Sequence, residues 1–318
     1  MVFEVVLFLV WLGVLSFAAD RFVYGAAAMA KNFGISPMII GLTIVAMGSS
    51  APEIVVSATA SFNGNINTAI GNAIGSNITN IALVLGLTAM LKPLVIASSA
   101  LKREMPVLLF FSLLATYMLS DLNLSRIEGV ILIVFFFAVI GALIWMSFNL
   151  ESSDPLIAET ESEIPSNVPT GKALFWLVLG LILLPLSASF MVDSAVIIAK
   201  TLGLSDLVIG LTIIAIGTSL PELAASIAGV LKNEDDMALG NIIGSNIFNI
   251  LAVMAMPGLI APGAIDELAA HRDIYIMLGL NVVLILLSFN FRGVRRINRY
   301  EGFALVACFV AYQIILFG

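Results

Sequence analysis

Two glutamates stand where a membrane-length apolar run should carry no charge. Glu53 ends the stretch GLTIVAMGSSAPE (41–53) and Glu222 ends GLTIIAIGTSLPE (210–222), each directly after a proline. A charged carboxylate near the centre of a spanning helix costs roughly 2.5–3.5 kcal/mol when nothing compensates it. Two at equivalent places call for a cation, a shared proton, or both. A single copy would also read as a proline kink beside a protonated, hydrogen-bonded glutamate, but the duplication weakens that reading.

The two stretches lie 169 residues apart, with nine of thirteen positions identical. The same offset, without a gap, aligns GNAIGSNITNI (71–81) with GNIIGSNIFNI (240–250), where nine of eleven agree. Pro52 has no N–H, so the Gly48 carbonyl loses its helical partner, and Pro221 does the same to Gly217. Gly48 and Gly217 make local unwinding cheap, so each span should be a broken helix. Backbone exposed at bilayer depth is tolerated only where it lines a cavity or meets protein. Ser76 and Asn80, like Ser245 and Asn249, are four apart and share a helix face. Asn72 and Asn241 either continue that stripe or cap a helix end. Gly71/Gly75 and Gly240/Gly244 have the spacing that lets backbones approach closely. That would bring the polar face to a helix carrying Glu53 or Glu222.

Two carboxylates offer four oxygens, and the carbonyls near Ser49 and Thr218 bring the set to six. The hydroxyls of Ser50, Ser76, Ser219 and Ser245 and the amides of Asn80 and Asn249 stand in reserve. All are hard oxygen donors, which suits Ca²⁺ and equally Na⁺, and not Zn²⁺ or Cu²⁺.

These residues need a membrane scaffold, and the composition supplies one. The 318 residues are 60% hydrophobic and 11% charged, with mean hydropathy +1.10. A soluble domain carries roughly 25% charged residues. One histidine, His271, excludes a histidine-rich metal site, and one cysteine, Cys308, excludes an internal disulfide. A net charge of −7 leaves no basic surface for nucleic acid. No basic residue precedes Arg21, so the N-terminus reads as a retained first helix and not a signal peptide.

Ten stretches have spanning length: 3–30, 38–62, 70–91, 104–120, 127–148, 172–200, 207–231, 239–260, 272–290 and 302–317. The predicted fold is an all-α membrane protein, with ten transmembrane helices as two inverted five-helix repeats and discontinuous helices at the midplane. Its parts are 1–148, an acidic cytoplasmic linker at 149–171, and 172–318. The linker reads as a solvated joint and not as a regulatory cation site. Five spans per half is odd, so the second half enters the membrane upside down. With both termini outside, the cytoplasmic joints hold Lys31, Lys92, Lys102, Arg103, Lys172, Lys232, Arg292, Arg295, Arg296 and Arg299. The outer joints hold Arg126, Lys200 and Arg272, so ten face three across the membrane.

The doubled GSSAPE/GTSLPE and GNAIGSN/GNIIGSN motifs resemble the two alpha-repeats of the cation/calcium exchanger superfamily, in particular its short prokaryotic sodium/calcium exchangers. The likeness covers the whole ten-span plan. It implies that Glu53 and Glu222 are the shared Ca²⁺/Na⁺ carboxylates and that the carbonyls of Ser49 and Thr218 complete the calcium site. It implies that Ser50, Ser219, Ser76 and Ser245, with the carbonyls of Ala46 and Ala215, hold Na⁺ in flanking sites. Asn80 and Asn249 would sit between the glutamates. Two departures stand out. Some relatives, including the potassium-dependent branch, carry aspartate at the place of Asn249, so K⁺ co-transport is disfavoured. Ser49 replaces the usual threonine and keeps its oxygens.

The expected activity is secondary antiport in the inner membrane, Na⁺ entering as Ca²⁺ leaves, with no resident cofactor, no catalysis and no oligomer required. H⁺ is the alternative counter-ion, since a carboxylate pair can trade cations for protons. A cation channel and a membrane enzyme with a Glu53/Glu222 acid–base dyad are the other classes. The channel would want a continuous pore, and the enzyme lacks any further nucleophile.

Overall fold

A chain this apolar can satisfy its backbone in lipid only within helices or a closed barrel, and here helices do so. The structure is a computed structural model and describes residues 2–35, 37–96, 103–149, 168–201, 215–288 and 296–317. Up to residue 149 the order is α1 (Val2–Phe33), α2 (Pro37–Ile40), a π turn (Gly41–Val45), α3 (Ala46–Ser49) and α4 (Ala51–Phe62). Then α5 (Ile66–Thr79) runs through a π turn (Asn80–Leu85) into α6 (Gly86–Leu91), followed by β1 (Leu94–Val95), α7 (Glu104–Met118), β2 (Asn123–Leu124) and α8 (Arg126–Asn149). From residue 170 come α9 (Thr170–Thr201), α10 (Ala215–Thr218) and α11 (Leu220–Leu231). Next, α12 (Asp235–Phe248) continues through a π turn (Asn249–Val253) into α13 (Ala255–Ile260). The chain closes with β3 (Gly263–Ala264), a π turn (Ala269–Asp273) leading into α14 (Ile274–Ser288), β4 (Arg296–Ile297) and α15 (Arg299–Phe317). The pairs α3/α10, α4/α11, α5/α12, α6/α13 and β1/β3 are each displaced by the motif offset of 169 residues.

Among the described residues eight helices are long and apolar enough to cross a membrane. A bent pair, Gly41–Ser49 with Ala51–Phe62, makes nine. The count therefore falls short of ten. Residues 207–214 of the expected seventh span lie outside the described residues, and Leu220–Leu231 alone is a shorter apolar helix. Most of the acidic linker, 150–167, also lies outside them.

Helix boundaries differ from the apolar runs where polar residues terminate the turns. Gly64 (φ 76°) and Asn233 (φ 61°) occupy equivalent left-handed positions just past α4 and α11. The next helices therefore start four residues earlier than expected, at Ile66 and Asp235. The helix α8 opens on a reciprocal cap in which Ser125 N and Oγ donate to Glu128 Oε2 at 2.8 and 2.7 Å. Asn298 and Glu301 repeat the arrangement at α15, where Asn298 N donates to Glu301 Oε2 at 2.7 Å and Glu301 N to Asn298 Oδ1 at 3.0 Å.

Among the described residues, four two-residue strands carry no signal in the apolar pattern. They pair antiparallel as β1 with β4 (Leu94 opposite Ile297) and β2 with β3 (Asn123 opposite Ala264), each joining an early segment to a late one.

The packing forms two principal bodies. One apolar cluster fills the space among α5 to α8 and α12 to α15, with Ile74, Ile78, Leu85, Ile243, Leu251 and Met254 fully buried. A second joins α1 to α9 through Phe22, Ala26, Leu177 and Leu184. There α1 and α9 pack closely at glycines: a Cβ on Gly25 would lie 2.6 Å from Leu177 N, and one on Gly180 would lie 2.4 Å from Phe22 Cβ. Where this pair meets α11, Lys232 Nζ lies 2.7 Å from Asp20 Oδ1.

Candidate ion site

The breaks fall two residues past Gly48 and Gly217, the glycines at which the sequence placed the unwinding, and both glycines stay helical. Ser50 (φ −84°, ψ 7°) separates α3 from α4, and Ser219 (φ −88°, ψ 6°) separates α10 from α11. At the first break the two helical segments meet at 49°. Pro52 and Pro221 lie in the first turns after the breaks, where a missing N–H costs nothing. Glu53 and Glu222 follow in the same turns, at the N-terminal ends of helices.

Each GNxIGSN helix docks on the other copy's broken span: α12 packs against α2, α3 and the π turn between them, and α5 packs against α10. On the α12 side a glycine permits this, whereas a Cβ on Gly71 or Gly75 would meet no described atom within 4 Å. A Cβ on Gly244 would lie 2.7 Å from both Ala46 Cβ and Leu42 O. The result brings the candidates together. Ala46, Ser49, Ser50, Glu53, Ser76, Asn80, Thr218, Ser219, Glu222, Ser245 and Asn249 are all buried, none more than 8% exposed. The surroundings of Ala215, in α10, lie outside the described residues.

Contacts between the copies knit the centre. Ser50 Oγ donates to Glu222 Oε1 at 2.9 Å. Ser49 Oγ donates to Asn241 Oδ1 at 3.0 Å and lies 3.4 Å from Ser245 Oγ. The Ala46 carbonyl accepts from Ser50 N at 3.0 Å and lies 3.3 Å from Ser49 Oγ.

Much of this polar surface is unpaired within the protein. Both carboxylate oxygens of Glu53, Oε2 of Glu222, the hydroxyls of Ser76 and Ser219, and the amide O and N of Asn80 and Asn249 are buried without a hydrogen-bond partner. Native interiors leave few such atoms, and each needs an explanation. Here they cluster, they include three carboxylate oxygens, and nearly all are oxygens. No three His, Cys, Asp or Glu side chains converge among the described residues. A cation held here would therefore draw on two carboxylates and on neutral hydroxyl, amide or carbonyl oxygen, a donor set for a hard ion.

Sequence reasoning left some of this open. Asn72 and Asn241 do not cap helix ends: Asn72 Nδ2 donates to Glu53 O at 3.0 Å and Asn241 Nδ2 to Glu222 O at 3.3 Å. Asn77 and Asn246, also in the repeated GSN, are fully buried, and Asn246 has neither polar atom paired. Asn80 and Asn249 begin π turns, a local widening frequent at functional sites and invisible to spacing rules. Ser112 and Asn281 lie one offset apart and bond to each other at 2.7 Å, so that contact joins two equivalent positions.

The comparisons agree with the doubled motif. A family model described as "Sodium/calcium exchanger protein" matches residues 3–145 and 172–318. The CaxA protein of Alkalimonas amylolytica is 55% identical over 309 residues, 97% of each chain. Inner membrane protein YrbG of Escherichia coli (strain K12) is 40% identical over 325 residues, 100% of this chain and 98% of its own. A solved structure of the sodium-calcium exchanger NCX_Mj, soaked without Na⁺ and Ca²⁺, superimposes with a TM-score of 0.82 at 34% identity, covering 99% of both chains. The match runs through both motif copies and nearly the full length, so this multi-pass membrane protein is a transporter and not an enzyme, and it belongs to the sodium/calcium exchanger family.

Proposed function

We propose that the chain is a Na⁺/Ca²⁺ antiporter of the inner membrane in which Glu53 and Glu222 are the cation carboxylates shared by both ions. The observation that carries this reading is the buried, oxygen-rich cluster of unpaired atoms to which both motif copies contribute. A core charge of −2 is balanced by one Ca²⁺ or two Na⁺, so the ions compete for the same carboxylates. Ser49 and Thr218 contribute carbonyls to the calcium position. Ser50, Ser219, Ser76 and Ser245, with the Ala46 and Ala215 carbonyls, hold Na⁺ beside it, and Asn80 and Asn249 lie between the glutamates. A third Na⁺ makes the cycle electrogenic, and the membrane potential then adds about 2.3 kcal/mol per 100 mV for each net charge moved.

The architecture in this reading is ten spans in two inverted halves, 1–148 and 172–318, with the 149–171 linker cytoplasmic and both termini outside. The recurrence of elements at one offset and the strand pairs that cross between early and late segments support it. Alternating access comes from α1 and α9 moving as one body across the broken-helix core. Their close glycine contacts suit a rigid pair. The topology has a direct check. With Cys308→Ser as background, a cysteine introduced by Thr160→Cys is expected to react with an impermeant reagent only from the cytoplasmic face. Labelling from outside would reverse the arrangement.

Flux in vesicles tests the function. Ca²⁺ loaded inside should exchange against an imposed Na⁺ gradient and stay put without a counter-ion gradient. A channel would conduct without one. Exchange driven by a pH gradient and indifferent to Na⁺ would make the protein a Ca²⁺/H⁺ exchanger instead.

A further inference from the structure

The two asparagines that open the GNxIGSN segments are equivalent by sequence but differently bonded. Asn241 is 1% exposed and holds three groups. Its Nδ2 donates to Glu222 O at 3.3 Å and to Ser226 Oγ at 3.0 Å, and its Oδ1 accepts from Ser49 Oγ at 3.0 Å. One amide thus links the backbone beside one site carboxylate to the motif of the opposite copy. Asn72 keeps the corresponding bond to Glu53 O at 3.0 Å, yet it is only half-buried. Ser57, the counterpart of Ser226, donates instead to the Val253 carbonyl at 2.8 Å.

We infer that Asn72 and Asn241 are positioning residues of the exchange cycle, each holding the carbonyl of a site glutamate, and that they trade their remaining partners as access alternates. On the sealed side the asparagine takes the hydroxyl of the opposite motif and a serine one turn from the glutamate. On the open side it keeps only the glutamate carbonyl. In the opposite state Asn72 would take the Thr218 hydroxyl and Ser57, and Asn241 would release Ser49 and Ser226. Neither amide needs to touch the ion; each acts through the backbone beside Glu53 or Glu222. The inference rests on the antiport reading above.

Bonds present in one access state and absent from the other bias the equilibrium between them. The two variants should therefore have opposite sidedness. In right-side-out and inside-out vesicles, Asn241→Ala is expected to raise the Ca²⁺ KM at one membrane face about five- to tenfold, the effect of losing one or two hydrogen bonds. At the other face only the bond to the glutamate carbonyl is lost, so the shift there should be clearly smaller. Asn72→Ala should reverse the faces. A merely structural role would shift both faces together or reduce kcat alone, and either result overturns the assignment. If Asn241→Ala does not insert, Ser226→Ala removes one of its acceptors and should shift KM in the same direction by a smaller factor; equal shifts at both faces would again overturn it. Wild-type vesicles that exchange no Ca²⁺ would instead overturn the antiport reading.

Discussion

Glu53→Gln and Glu222→Gln are each expected to abolish Ca²⁺ exchange while leaving the protein inserted and folded. Either substitution preserves side-chain volume and removes one of only two negative charges facing the ion. At about 4 Å and an effective dielectric near 20, a lost unit interaction is worth about 4 kcal/mol, roughly a thousandfold in affinity. The folded state should bear the change well, because both residues are completely buried and three of their four carboxylate oxygens have no protein partner to lose. The variants should elute as monodisperse protein with near wild-type thermal midpoints, and transport none. Wild-type exchange rates in both would show that the carboxylates are not the ion ligands.

The second large effect concerns a glycine. Gly244→Val is expected to cut exchange at least tenfold and to lower the unfolding temperature in detergent. A Cβ at this position meets Ala46 Cβ and Leu42 O at 2.7 Å, so the helices must part to admit it. Overpacking of this kind costs about 1–3 kcal/mol, and any separation also moves Ser49 away from Ser245 and Asn241. Gly279→Ala is the control. A Cβ there meets no described atom within 4 Å, so the helix-propensity gain of up to about 1 kcal/mol is expected to leave the protein as stable or slightly more so. Equal thermal midpoints for Gly244→Val and wild type would mean that the close approach contributes little.

The doubled motifs make the site legible in the amino-acid sequence, because a duplicated buried acid after proline has few physical explanations. The breaks at Ser50 and Ser219 follow from the missing N–H of Pro52 and Pro221. Several features lie beyond sequence reading for one shared reason: they depend on contacts between distant segments. Asn241 meets Ser49 across 192 positions, and no local pattern reports that. The π turns at Asn80 and Asn249 escape because α12 is buried along nearly its whole length, so a slipped turn disturbs no polar–apolar stripe. The early starts of α5 and α12 reflect left-handed residues at Gly64 and Asn233, of which only the glycine advertises the conformation.

The strand pairing sets a schedule for the protein's own synthesis. Leu94 finds its partner only in Ile297, about 200 residues later. At roughly 5–20 residues per second, the ribosome needs about 10–40 s to deliver that partner. Throughout that interval the early helices must stay in the bilayer on their own hydrophobicity, with their joints open, as independent insertion before assembly requires. The lateral exits offered to a neighbouring nascent chain are the same joints, and that neighbour carries the same complementary strands. Correct closure therefore depends on the covalent link between early and late segments, which keeps the chain's own β3 and β4 at an effective concentration that a stranger's strands do not reach.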